Sequence, residues 1–218
     1  MKKSHQNYKI IPLGTYCLPR VITTFCGLKL RKKDGEKSCP FDLAFFKSLD
    51  SNIELLDNQF KSFFDDIYYD DKTHYWINDY YNAILNHDGN LSIKELIARY
   101  NSRINNLYEY LNNANIYLYF LIATFDKITD NQIERLMEVI HKYRSDTSFS
   151  LIIINQSKSK YLNCNKNVQV IDMSKDKTFY KINKKGLWID KLRERNNINA
   201  IIFYYKITTA LKKIIKNR

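Results

Sequence analysis

The sequence predicts an α/β fold: a single three-layer sandwich on a mostly parallel, Rossmann-like sheet, with an irregular insert. Three observations predict it. Continuous apolar runs such as "IYLYFLIA" and "FSLIIINQ" lack the alternation of a half-exposed strand, so they belong to a sheet buried on both faces. Amphipathic helical stretches separate these runs, as in βαβ units. No internal repeat, low-complexity tract or Pro/Gly/Ser-rich linker divides residues 1–218, which therefore read as one domain.

Taken in order, "YKIIPL" (Tyr8 to Leu13) is a short strand ended by Gly14. Leu18, Val21, Ile22, Phe25 and Cys26 recur at helical spacing, and Gly27 is placed to end that helix. The charged "KLRKKDGEKS" is a loop, and "CPFDLAFF" leads into a helix from about Leu49 to Phe64. The aromatic and polar tract "DDIYYDDKTHYWINDYYNAILNHDGN" has no clean period and reads as short strands or loops of the insert. Ser92 to Asn112 is an amphipathic helix, with Ser92 as N-cap and Glu95 closing a capping box. "IYLYFLIA" is a buried strand, "TDNQIERLMEVIHKY" a helix capped by Thr129 or Asp130, and "FSLIIINQ" and "VQVIDM" further strands. A last helical region begins near Trp188, and 196–218 reads as a basic amphipathic helix.

The formal net charge is +12, unevenly spread. Lys175 to Arg218 holds thirteen Lys or Arg against three acids, whereas Pro40 to Tyr80 holds nine acids against three lysines. Basicity concentrated at the C-terminus suggests an anionic partner, and the stripe Ile198, Ile201, Ile202, Tyr205, Leu211, Ile214 and Ile215 beside Lys212, Lys213, Lys216 and Arg218 resembles a helix that lies on an anionic membrane surface. No nucleic-acid motif accompanies the charge. The opening "MKKSHQNYKIIPLG" lacks the apolar core of a signal peptide, and no apolar run reaches the ~20 residues of a membrane span, so the expectation is a cytoplasmic protein, peripheral at the inner face of the membrane if the tail docks there. Cys17, Cys26, Cys39 and Cys164 are then reduced thiols without zinc-site spacing, and nothing in the sequence calls for a metal or cofactor.

Cys17 lies where a strand meets a helix, the place where sites gather in open α/β sheets. Gly14 frees the chain to turn off the strand, and Pro19 suits the first helical turn. A thiol there meets backbone N–H groups and the positive end of the helix dipole, which favour thiolate and also suit an oxyanion. Cys26 falls on the apolar helix face, Cys164 sits in an Asn- and Lys-rich loop, and Cys39, before Pro40, is the rival nucleophile. A cysteine nucleophile needs a base and a group to orient it. His87, in "AILNHDGN", occupies a turn beside carboxylates, while His5 is terminal, His141 is on a polar helix face and His74 is flanked by Lys72. Asp42, an acid inside the apolar run "CPFDLAFF", requires a hydrogen-bonded purpose and is the first choice as orienter, with Asp88 the alternative.

The order "LGTYC", "PFD", "HDG" and "RYNSRI" resembles the bacterial DUF1796 family of papain-like cysteine peptidases over most of the chain. The resemblance implicates Gly14, Cys17, Pro40, Phe41, Asp42 and His87; family members commonly carry a tryptophan after PFD, where this chain has Leu43. It implies a cysteine peptidase-like hydrolase, with peptide, ester or glycan-linked substrates all compatible with the chemistry. Two other readings compete. One is an acyltransferase of surface-polysaccharide biosynthesis, with Arg99 and Arg103, at i and i+4, clamping a phosphate. The other is a non-catalytic membrane-surface module using the basic tail.

Overall fold

The computed structural model describes residues 7–30, 35–123, 127–155, 166–172 and 198–216. Its elements are β1 (Tyr8–Pro12), α1 (Leu18–Phe25), β2 (Phe45–Phe46), α2 (Leu49–Asp57), β3 (Ile67–Asp70), β4 (Tyr75–Asn78), β5 (Ala83–Leu85), α3 (Ile93–Asn112), β6 (Tyr117–Ala123), α4 (Asp130–His141), β7 (Phe149–Asn155), β8 (Val168–Asp172) and α5 (Ile198–Lys216). A 3-10 turn spans Pro40–Asp42.

The strands β1-β6-β7-β8 form a parallel sheet in that order. Its apolar runs serve two cores at once. On β6, Leu118, Phe120 and Ile122 enter one core and Tyr119, Leu121 and Ala123 the other; on β7, Phe149, Leu151 and Ile153 oppose Ile152 and Ile154. Successive side chains of a strand point to opposite faces, so both must be covered. Helices α2, α3 and α4 cover the first face, and α1 and α5 the second.

The α/β class therefore holds, but the chain is more than one sandwich. The tract expected to be an irregular insert forms a second, antiparallel sheet in the order β2-β5-β4-β3. Its period is hard to read because the strands are only two to four residues long. The helix expected to reach Phe64 stops at Asp57. Gln59 and Phe60 take positive φ, and Phe60 N–H donates back to the carbonyl of Leu55 at 3.0 Å, a Schellman-type closure. Phe60 and Phe63 remain buried, so the apolar period outlasts the helix that it suggests.

Helix α5 runs through most of the predicted basic segment; Trp188 and residues 217–218 lie outside the described residues. Ile207 and Leu211 are fully buried against the second core, and Ile214 and Ile215 pack at its edge. Of the stripe read as lipid-facing, Leu211, Ile214 and Ile215 thus meet this chain's own sheet, while Tyr205 is 72% exposed. No helix among the described residues is long and apolar enough to cross a membrane.

Candidate active site

The Cys17 junction is built on β1. Past the strand, Leu13 N–H still donates to Leu121 O at 2.9 Å. Gly14 follows, and its φ lies outside the left-handed region, so glycine is required there for space and not for the freedom to turn. A Cβ at Gly14 would sit 2.5 Å from the carbonyl oxygen of Ala123 and 2.6 Å from Cγ of Pro19. Asn52, fully buried on α2, donates its amide to the carbonyls of Leu13 (3.0 Å) and Gly14 (3.2 Å). The carbonyl of Thr15 accepts from Phe46 N–H at 2.9 Å. These contacts deliver Cys17 to the N-cap of α1, with Pro19 in the first turn and the Cys17 carbonyl accepting from Val21 N–H at 3.0 Å. The first-turn N–H groups of a helix have no intrahelical acceptor, and Cys17, partly exposed, stands at that end of α1, where its side chain makes no capping hydrogen bond. Helix α1 ends in a Schellman motif: Gly27, at φ +68°, donates to Thr24 O and Leu28 donates to Thr23 O.

Cys39 is of a different kind. It is completely buried, and burial, the largest effect, pushes its thiol up to about 12 against the partial opposition of Lys29. A thiol in that state is a protonated packing group. Cys26 is also pushed up by burial and contacts the Thr208 hydroxyl at 2.6 Å. Cys164 and His5 lie outside the described residues.

Asp42 has its hydrogen-bonded purpose, and the structure shows which. Its carboxylate accepts from Cys39 N–H (3.2 Å) and from the ammonium of Lys29 (3.3 Å), and lies 3.8 Å from Nε of Arg20. Lys29, itself buried, also donates to Ile10 O at 3.0 Å. Asp42 thus ties the Pro40–Asp42 turn to α1 and, through Lys29, to β1.

His87 is exposed on the turn that follows β5. Its neighbour Asp88 is fully buried and receives both arginines of α3: Arg99 Nη1 at 2.5 Å, Arg103 Nη1 at 2.9 Å and Arg103 Nη2 at 3.5 Å. The acid these two arginines meet is therefore internal. The guanidinium of Arg103 lies 4.7 Å from the centre of the buried Tyr100 ring, whose phenol is pushed up chiefly by burial. Gly89 has no room for a side chain, since a Cβ there would fall 1.9 Å from the carbonyl oxygen of His74. His74 itself sits exposed in the β3–β4 hairpin, and His141 is engaged by Asp146 (3.2 Å) and the Arg144 carbonyl (3.2 Å).

The segments of Cys17 and His87 are linked through one short strand. Thr15 O meets Phe46 N–H, Phe45 and Phe46 pair with Ile84 and Ala83, and His87 follows β5 by two residues. The Tyr16 ring packs edge-on against Phe45 at 4.7 Å. Among the described residues, no group of three or more His, Cys, Asp or Glu side chains is placed to hold a metal.

The family model of "Putative papain-like cysteine peptidase (DUF1796)" matches residues 8–159. The chain belongs to this family. The matched stretch of this DUF1796 protein runs from β1 through β7 and includes Cys17, Asp42, His87, Arg99 and Arg103, leaving β8 and α5 outside it. No curated protein and no solved structure matches the chain.

Proposed function

We propose that this protein is a cysteine hydrolase in which Cys17 is the nucleophile and His87 the general base. The carrying observation is the contrast between thiols: Cys17 is partly exposed at a helix N-terminus, whereas Cys39 and Cys26 are buried and held in the protonated form. The family description supports the peptidase class. In this reading His87 takes the proton of the Cys17 thiol, the sulfur attacks an acyl carbon to form a thioester, and the leaving amine or alkoxide takes that proton from His87. Water then attacks the thioester, gives a proton to His87 and releases the Cys17 sulfur. N–H groups of the α1 first turn, Pro19 excepted, donate to the oxyanion in both steps.

The test is iodoacetamide alkylation across pH, resolved cysteine by cysteine by mass spectrometry, in the native chain and in His87→Ala. Cys17 should react well below the ordinary thiol value of ~8.5 and lose about tenfold in rate for each pK unit forfeited without His87. Cys39, whose thiol holds its proton up to about 12, should stay unlabelled at pH 9 while the chain is folded. Normal titration of Cys17, indifferent to His87, overturns the proposal.

A further inference from the structure

The cluster around Asp88 is out of proportion to a surface turn. A carboxylate with no exposed surface is received by two guanidinium groups, one of which, Arg103, has only 8% of its side chain exposed. Buried ion clusters contribute little net stability, because desolvation consumes most of the Coulombic gain, yet removing one member leaves charge stranded. What such a cluster does supply is geometry. Here one short stretch of backbone is also held at several points. Asp88 N–H donates to Leu85 O at 3.1 Å, Asp88 O accepts from Leu91 N–H at 3.1 Å, Leu91 O accepts from Trp76 Nε1 at 3.1 Å, and Gly89 rests on the backbone of His74. The residue before this pinned unit is His87, an exposed side chain on a turn, ordinarily the most mobile kind of position.

We infer that Asp88, anchored to α3 by Arg99 and Arg103, is the positioning residue for His87. It acts through the backbone of the shared turn. The inference rests on the proposed Cys17–His87 chemistry. It also assigns the two arginines: they hold the base in place from beneath. Arg103 grips Asp88 with two donors, and Arg99, 42% exposed, is the outer arm.

A double-mutant cycle on the full chain tests this. Rates of Cys17 alkylation by iodoacetamide at one neutral pH are compared for the native protein, His87→Ala, Asp88→Asn and the double variant, with thermal unfolding recorded for each. A residue that acts through His87 lowers the rate in the native background, by about tenfold if one pK unit of thiolate is lost, and changes it by less than about twofold once His87 is gone. An equal loss in both backgrounds marks Asp88 as a general structural support and overturns the inference. Should Asp88→Asn fail to fold, Arg99→Gln removes only the outer arm; it must give a smaller decrease that also vanishes in His87→Ala, and an unchanged rate overturns the inference. The two levels separate cleanly: indifference of Cys17 to His87→Ala sinks the Cys–His reading itself, whereas sensitivity to His87 without sensitivity to Asp88 or Arg99 sinks only the positioning role.

Discussion

The loop that carries Cys17 and the turn that carries His87 are both pinned from a neighbouring helix, but by opposite means. Asn52 of α2 holds the Cys17 loop with two neutral hydrogen bonds to backbone carbonyls, and Gly14 lets the chain pass close to β6 and Pro19. The His87 turn is held by a buried carboxylate between two arginines of α3. The difference follows from what each segment must present. In the proposed mechanism the backbone N–H groups at Cys17 take part in the chemistry, and a neutral clamp on the carbonyl side leaves their field undisturbed. In the same mechanism His87 contributes only its side chain, and a charged clamp fastened to the next residue can be strong.

The largest effect expected from breaking this contrast is that of Asp88→Ala, which strands two guanidinium charges, one deeply buried. Loss of one partner of a buried pair costs about 3–5 kcal/mol, and the half-exposed Arg99 places the expected value toward the lower end. Urea unfolding measures it. Asn52→Ala should cost less, about 1–3 kcal/mol, because it leaves two buried carbonyls without a donor but strands no charge. Its effect on Cys17 alkylation should be equal with and without His87, the reverse of the Asp88 pattern. A stability loss for Asn52→Ala as large as that for Asp88→Ala would remove the distinction between the clamps.

Gly14→Ala sharpens the comparison from the side of packing. The new methyl meets backbone oxygen and a proline ring at under 3 Å, so the loop must shift, at a cost of about 1–3 kcal/mol. The shift moves Cys17 relative to the α1 first turn, and its alkylation rate should change at once. Unchanged rate and unchanged melting temperature would show that the loop yields freely and that the clearance at Gly14 is not what places the thiol.

Much of this arrangement was legible in the sequence, for reasons that differ by residue. The strand–Gly–Cys–Pro junction could be read because each residue type restricts the backbone locally, and the Ser92 and Thr129 caps because capping is a contact three residues long. Asn52 was missed although it gave a signal: it stands on the apolar face of α2 with Leu49, Ile53 and Leu56, where a polar side chain needs a partner. Asp42 gives the same signal, but its partner Lys29 could not be foreseen, because it lies in a charged tract that looks wholly solvated. The pairing of Asp88 with Arg99 and Arg103 crosses from one element to another, and spacing along one helix could show only that the two arginines share a face. The second sheet was invisible as a sheet because pairing between strands this short is settled by neighbours and not by period.

The smallest expected effect is the most discriminating for the nature of the two clamps. Arg99→Gln removes the outer, half-exposed arm of the charged clamp and should cost no more than about 1 kcal/mol, as exposed ion pairs do. In 1 M NaCl the Debye length is about 3 Å, so most of that cost should disappear when urea unfolding is repeated in high salt. Asn52→Ala has no charge to screen, and its cost should be the same at both salt concentrations. If Arg99→Gln proves as insensitive to salt as Asn52→Ala, then Arg99 supports the turn through the packing of its aliphatic stem. The charged part of the clamp would then reduce to Asp88 and Arg103, the pair that solvent ions cannot reach.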